Sequence, residues 1–300
     1  MTNIQTVISD IRSQLETAYP KDEAGALAWW IIEEETGLSR SQILTGCKIT
    51  KNFAHVQEVV ARLLHFEPVQ YIYGHTEWCG LDLKVTPATL IPRPETAELV
   101  ERIDTDTRTL PEGKALKVLD IGTGSGCIAI ALKKAHPEWE VMGIDISEEA
   151  IEVARENAKR NKVDVDFRVA DIFSDENGVI EPLGGEEYGK NLRYDIVVSN
   201  PPYICEKEKA DMRRNVLDFE PQGALFVPDD DPLKFYRRIA QLFSPITRNP
   251  SPITPHIFFE INEAYGDEIV ALLNDYGYRD IRLIKDIYGK ARIIEGRMVG

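Results

Sequence analysis

From Lys117 to Ile261 the chain alternates short apolar runs with stretches of helical period, and this alternation narrows the fold more than any other feature. Residues 117–121, 140–145, 165–169, 194–199 and 256–261 have the length and the β-branched or aromatic content of buried strands. Between them, Ile128, Ile130 and Leu132 mark one helix, and Ser147 caps a second from Glu148 to Asn161. Further helices are expected near Pro232–Phe243 and over Glu263–Tyr276. Residues 281–284 and 291–294 predict a closing antiparallel pair around Tyr288-Gly289. Repeated strand–helix order with both faces of the strands apolar predicts an α/β fold, a doubly wound parallel sheet with an antiparallel edge. Residues 174–193 and 244–255 read as loops, and no internal repeat is found.

The first part of the chain follows a different rule. Ile4, Val7, Ile8, Ile11 and Leu15 recur at helical spacing and stop before Pro20. Asp22 is expected to cap a second helix that Gly37 ends, Ser39–Thr45 makes a short third, and Phe53 to Leu64 a fourth. The result is a bundle of roughly 65 residues, too small for a catalytic site of its own. It suits either packing or partner recognition. Leu81, Leu83 and Val85 then alternate with polar residues, predicting a β-hairpin near 73–86. In Thr86-Pro87-Ala88-Thr89-Leu90-Ile91-Pro92-Arg93-Pro94-Glu95-Thr96 three prolines stiffen a linker, with a helix starting at Glu95 or Thr96.

Three hundred residues suit two domains, and 35 Lys plus Arg against 50 Asp plus Glu give a net charge of −15. That balance argues against a broad nucleic-acid surface, which needs cations to displace counterions. The four cysteines and five histidines lack metal-ligand spacing, so no metal is expected. No signal-peptide core or membrane-length apolar run is present, and the reading is a soluble cytoplasmic protein.

The candidate site gathers at strand ends, where open α/β sheets bind ligands. Asn200-Pro201-Pro202-Tyr203 ends the fourth strand abruptly. Its prolines stiffen the backbone, and the Asn side chain adds a second carbonyl, so two fixed acceptors stand ready for an –NH2 group. Gly122-Thr123-Gly124-Ser125-Gly126 lies between the first strand and its helix, letting backbone approach a ligand and aiming helix N–H groups at it. It is shorter than the dinucleotide fingerprint and follows an acid, Asp120, which a pyrophosphate would oppose and an amino or sulfonium group would tolerate. Asp145, roughly 19 residues beyond the loop, is placed to accept two ribose hydroxyls. Asp171 is placed for an adenine amino group, with Phe173 near the ring face. The plain alternative for each acid is a helix cap or turn former.

These motifs resemble those of class I S-adenosylmethionine-dependent methyltransferases that act on amino groups. More narrowly, Thr89-Leu90-Ile91-Pro92-Arg93-Pro94-Glu95-Thr96, Pro68 to Gly74, Phe219-Glu220-Pro221 with Ala224-Leu225, and Tyr288-Gly289 resemble the HemK/PrmC family. Members methylate the glutamine of the Gly-Gly-Gln loop in peptide chain release factors. The likeness covers nearly the whole chain and departs most at 174–193 and 244–255. It implies a seven-stranded Rossmann-like sheet, S-adenosylmethionine as cofactor, and residues 1–70 as the release-factor recognition bundle. Residues 71–94 would then be the hairpin and linker, and 95–300 the methyltransferase domain. The cofactor would meet Gly122, Thr123, Gly124, Ser125, Gly126, Asp145, Asp171, Phe173 and Asn200. Transfer would rest on Asn200, Pro201, Pro202 and Tyr203. Asn200 and the Pro201 carbonyl would accept both N–H bonds of the substrate amide, Tyr203 would pack on its side chain, and Arg93 would shape the pocket. The partner is a release factor, met by a monomer without direct nucleic-acid or membrane contact. The main alternative is an amino methyltransferase for adenine or cytosine, which shares the tetrapeptide; a non-catalytic binding module is the third reading.

Overall fold

The computed structural model describes residues 4–45, 53, 55–107, 115–174, 194–244 and 255–297. The expected loops at 174–193 and 244–255 lie almost wholly outside these residues, as does the end of the third helix at Gly46. The chain divides into two compact units, one of residues 1–74 with 213–219, the other of 75–212 with 220–300.

The first unit is helical: α1 (Ile4–Leu15), α2 (Lys21–Thr36), α3 (Arg40–Leu44), α4 (Val56–Leu64) and the single turn α5 (Val69–Tyr73). Ile8, Ile11 and Leu15 of α1 meet Ala24, Ala28, Ile31 and Ile32 of α2 and Val56, Val59, Val60 and Leu63 of α4 in one core. Each such buried Val, Ile or Leu stabilises the bundle by about 1.5–3 kcal/mol. Asp22 does not cap α2. Pro20 precedes that helix, and Asp22 and Glu23 sit in its first turn, where their charge favours the positive end of the helix dipole. Ser39 caps α3 in a reciprocal box with Gln42. The segment 213–219 joins this unit, its Arg213 paired with Glu23 at 3.2 Å and its Arg214 guanidinium 4.6 Å over the Phe66 ring.

The second unit opens with the hairpin β1 (His75–Trp78) and β2 (Leu81–Lys84), shorter than expected because α5 occupies the residues before it. Asn157 both accepts from the Lys84 N–H and donates to the Lys84 carbonyl, pinning the hairpin to helix α8 (Glu148–Asn161). Helix α6 (Pro94–Thr107) begins one residue before the expected start, on Pro94 itself, a residue whose fixed φ suits a first helical position. Then follow β3 (Lys117–Ile121), α7 (Cys127–Ala135), β4 (Glu140–Asp145), β5 (Asp166–Val169), β6 (Ile196–Ser199) and the two-residue strand β7 (Ile204–Cys205). After the turn α9 (Arg214–Leu217) of the first unit come β8 (Phe226–Val227), α10 (Lys234–Phe243), β9 (His256–Glu260), α11 (Gly266–Asp275), β10 (Arg279–Lys285) and β11 (Ala291–Arg297).

Seven strands form one sheet in the order β10-β11-β9-β6-β3-β4-β5. The five from β9 to β5 are parallel, and β11 and β10 close it antiparallel. Strand residues alternate between two cores, as a two-sided sheet requires. Val118, Val198 and Phe258 face Leu99, Ile130 and Ile151. Leu119, Val197, Ile257 and Phe259 face Tyr236, Ile239, Ile269 and Leu273. The chain runs outward from β3 through β4 to β5 and then returns to β6 on the other side. That reversal leaves a crevice beyond the carboxyl ends of β3 and β6. Among the described residues no helix is long and apolar enough to cross a membrane.

Candidate active site

A cavity of about 730 Å³ fills that crevice, walled entirely by the second unit. It has the size of a small-molecule cofactor site. Gly122, Thr123, Gly124 and Ser125 form one wall. Gly122 and Gly124 have φ of +71° and +53°, and a Cβ at either would meet nothing within 4 Å. Glycine is needed here for the backbone angle, and the space a side chain would take stays open to a ligand. Gly126 is not on the wall. A Cβ there would stand 2.9 Å from Phe167 and 3.1 Å from Ala154 and Ile130, so this glycine lets α7 pack on the sheet.

Four of the loop's own N–H groups are used within the fold. The N–H groups of Gly122 and Thr123 both go to the Ile144 carbonyl, and that of Gly126 goes to Thr123. The Gly124 N–H goes to Asp145 Oδ2 at 2.9 Å. Such a loop admits a ligand closely without forming the anion nest a pyrophosphate needs. Asp120 lies beneath it, fully buried, taking the Thr123 hydroxyl at 2.6 Å. Its Oδ1 has no hydrogen bond of normal geometry, and the Ala129 N–H in the first turn of α7 only partly compensates. Burial pushes this carboxyl up to about 7.

Asp145 closes β4 on the cavity wall, its Oδ1 taking the Ser147 N–H at 3.0 Å. Each oxygen holds one backbone donor and keeps lone pairs for the two hydroxyls of a ribose. Burial raises this carboxyl above its ordinary range, opposed by those N–H groups. Asp171 takes the Phe173 N–H at 2.8 Å, and both border the cavity. The Phe173 ring meets Phe235 edge-on at 5.4 Å, with the Lys234 ammonium 4.8 Å over Phe173. Lys234 and Phe235 escaped the sequence reading because an apolar helix start carries no sign of facing a ligand.

Asn200, Pro201 and Pro202 also line the cavity, as do the linker residues Pro92, Arg93 and Thr96. Register explains the meeting: Ser199 pairs with Ile121 on one side and Phe259 on the other, so Asn200, Gly122 and Glu260 follow at one level. The Asn200 amide nitrogen donates to Thr96 Oγ1 at 3.3 Å. Arg93 is held by Glu220 at 2.6 Å, Glu220 also takes the Ile91 N–H, and Trp78 donates to the Arg93 carbonyl at 2.8 Å. Tyr203 is not on the cavity wall. Its hydroxyl donates to Glu260 at 3.2 Å and its carbonyl accepts from Asn262, and burial raises its phenol well above the ordinary range. Glu260 was legible only as the end of an apolar strand, and Thr96 only as a helix start.

Comparison with known proteins gives the same outline. The methyltransferase domain family matches residues 112–245 and the PrmC N-terminal domain family matches residues 6–74. A release factor glutamine methyltransferase of Bacteroides thetaiotaomicron is 45% identical over 287 residues, covering 95% of this chain and 96% of that protein. One from Lactococcus lactis subsp. lactis is 34% identical over 293 residues, with 97% of each covered. Among solved structures, the hMettl16 catalytic domain in complex with MAT2A 3'UTR hairpin 6 has a TM-score of 0.50 at 13% identity, covering 84% of this chain and 85% of that one, a likeness of fold.

Proposed function

Because the chain belongs to the release factor glutamine methyltransferase family, we propose that it transfers a methyl group from S-adenosylmethionine to the side-chain amide nitrogen of a release-factor glutamine, the one in the Gly-Gly-Gln loop. The observation that carries this reading is the meeting of Asn200-Pro201-Pro202 and the glycine loop on the lining of one cavity. S-adenosylmethionine supplies an electrophilic methyl on a sulfonium. The residues present fit it: an open glycine wall that is no anion nest, a strand-end acid in Asp145 for the ribose, and Asp171 with Phe173 for the base.

An amide nitrogen is a weak nucleophile because its lone pair is shared with the carbonyl, so the chain has to contribute position and charge stabilisation. Asn200 Oδ1 and the Pro201 carbonyl accept the two N–H bonds of the substrate amide. They would hold the nitrogen in place for the methyl that S-adenosylmethionine would supply, a proximity effect that reaches about 7–11 kcal/mol in well-aligned cases. The same two dipoles favour the positive charge that grows on nitrogen during transfer. The stiff backbone of Pro201-Pro202 keeps the carbonyl from turning away. Tyr203 supports this wall from behind, and Arg93, fixed by Glu220, shapes the linker side. The helical bundle, residues 1–70, grips the release factor, with 71–94 as hairpin and linker to the methyltransferase domain of residues 95–300. We further read the chain as a cytoplasmic monomer that meets no nucleic acid directly, in line with its charge of −15.

The test is label transfer from radioactive S-adenosylmethionine to purified release factor, its Gln→Ala loop variant, and bulk DNA or RNA. Label on the intact factor alone is expected. Label on nucleic acid would replace this reading with the amino methyltransferase alternative.

A further inference from the structure

We propose that Thr96 and Glu260 are positioning residues that decide which end of the Asn200 amide meets the substrate. The inference rests on the reading that Asn200 Oδ1 accepts from the substrate, and it adds what holds Oδ1 there. An Asn side chain is nearly symmetric in shape, and half a turn about its last bond exchanges an acceptor for a donor. Turned the wrong way, Asn200 would present N–H groups to the N–H groups of the substrate amide. Shape alone does not prevent this, so a hydrogen-bond partner of fixed polarity must.

Thr96 supplies that polarity. It sits in the first turn of α6 at 2% exposure, and its Oγ1 donates to Glu260 Oε2 at 2.7 Å. A hydroxyl has one proton. With that proton committed to Glu260, Thr96 offers Asn200 only lone pairs, at 3.3 Å. The Asn200 atom that faces Thr96 is then the –NH2 group, and Oδ1 is released toward the cavity. Turning the amide over would set Oδ1 against those lone pairs.

Glu260 fixes the direction of the whole chain of bonds. It closes β9 at 1% exposure, beside Asn200 in the sheet register. An ionised carboxylate is an acceptor only, so both its side-chain oxygens demand donors: Thr96 on Oε2 and the Tyr203 hydroxyl on Oε1 at 3.2 Å. Burial, helped by the neighbouring Glu95 charge, raises the Glu260 carboxyl above its ordinary range, and the two hydroxyl donors and the Arg292 cation oppose that rise in favour of the ionised form. Tyr236 donates to the Glu260 backbone carbonyl at 3.1 Å, which holds the strand end in place. Tyr203, read from the sequence as a substrate contact, is thus a member of this hidden relay.

The test compares Thr96→Val, which keeps the shape and removes the hydroxyl, with Thr96→Ser, which keeps the hydroxyl. Single-turnover transfer to release factor is measured at saturating cofactor, with cofactor affinity and substrate KM measured on the same preparations. Thr96→Val is expected to slow transfer about ten- to hundredfold, the scale of a misaligned near-attack geometry. Cofactor affinity and KM should stay within about twofold, and Thr96→Ser should keep most of the rate. In an Asn200→Ala background Thr96→Val should cost nothing further, since the group it orients is gone. Full rate in Thr96→Val, or the same loss with and without Asn200, overturns the proposal. Where Thr96→Val loses cofactor binding through damage to the fold, Glu260→Leu decides. It removes the acceptor that commits the Thr96 proton, and should lower the rate with cofactor affinity kept; an unchanged rate overturns the relay. Failure of the underlying reading is distinct, because Asn200→Ala would then itself keep its rate.

Discussion

Asp145 and Glu260 both close strands at the same edge of one sheet, and the surroundings give them opposite work. Asp145 stands on the cavity wall and receives the backbone N–H groups of Gly124 and Ser147. Glu260 is sealed behind Asn200 and receives two side-chain hydroxyls. A backbone N–H cannot choose its direction once the loop is folded, whereas a hydroxyl rotates to whichever acceptor is stronger. On the proposed function, the cofactor half of the cavity is therefore set by main-chain path, and damage to it should be read in affinity. The transfer half is set by the arrangement of protons, and damage to it should be read in rate.

The largest effect that could break this division is Asn200→Ala. Turnover should fall about 10²–10³-fold, the scale for removing one preorganised group from a developing charge. Cofactor affinity by calorimetry should stay within a few-fold. Asp145→Ala should do the reverse: cofactor affinity about 10²–10⁴-fold weaker, from losing two charge-assisted hydrogen bonds of about 1.5–3 kcal/mol each, with much of the turnover returning at high cofactor. Gly126→Ala sharpens the comparison within the loop itself. Its new methyl meets Phe167 at 2.9 Å, so thermal or denaturant unfolding should show a loss of about 1–3 kcal/mol. Gly124→Ala, with nothing within 4 Å, should lose stability only through the positive φ and act mainly on cofactor affinity.

An effect of comparable size, visible only as a pH dependence, concerns Asp120. Burial raises its folded carboxyl from the ordinary 3.8 to about 7, so between those pH values the folded protein binds more protons than the unfolded chain. Stability of the cofactor-free protein should then fall as pH rises through this window, by up to about 1.4 kcal/mol per pH unit from this group. Asp120→Asn should remove that slope. Denaturant midpoints at about pH 5 and about pH 7 measure the difference, and equal slopes in the two proteins would show that Asp120 is ionised in the fold.

Much of this layout is legible in the sequence because strand-end positions announce themselves. An apolar run that stops at Asp145, or at Asn200-Pro201, fixes both the element and the edge where its last residue stands. The glycine loop is legible for the same reason. Its inner workings are not, since Gly124 and Gly126 look alike in sequence, and only packing against Phe167 separates ligand space from helix contact. Tyr203 was placed against the substrate because it adjoins Pro202. In the structure the chain enters the short strand pair Ile204–Cys205 with Phe226–Val227, and Asn262 holds the Tyr203 carbonyl while the ring's hydroxyl turns onto Glu260. Thr96 and Glu260 stand 164 positions apart, and nothing in either segment signals that a hydrogen bond joins them.

The most direct test of the two-part cavity is the cofactor-concentration dependence of single-turnover transfer in Asn200→Ala, using release factor as substrate. The rate should saturate at nearly the wild-type cofactor concentration and at a small fraction of the wild-type value. A rate that climbs back to the wild-type value as cofactor is added would contradict it, because Asn200 would then serve binding and leave the transfer step to other groups.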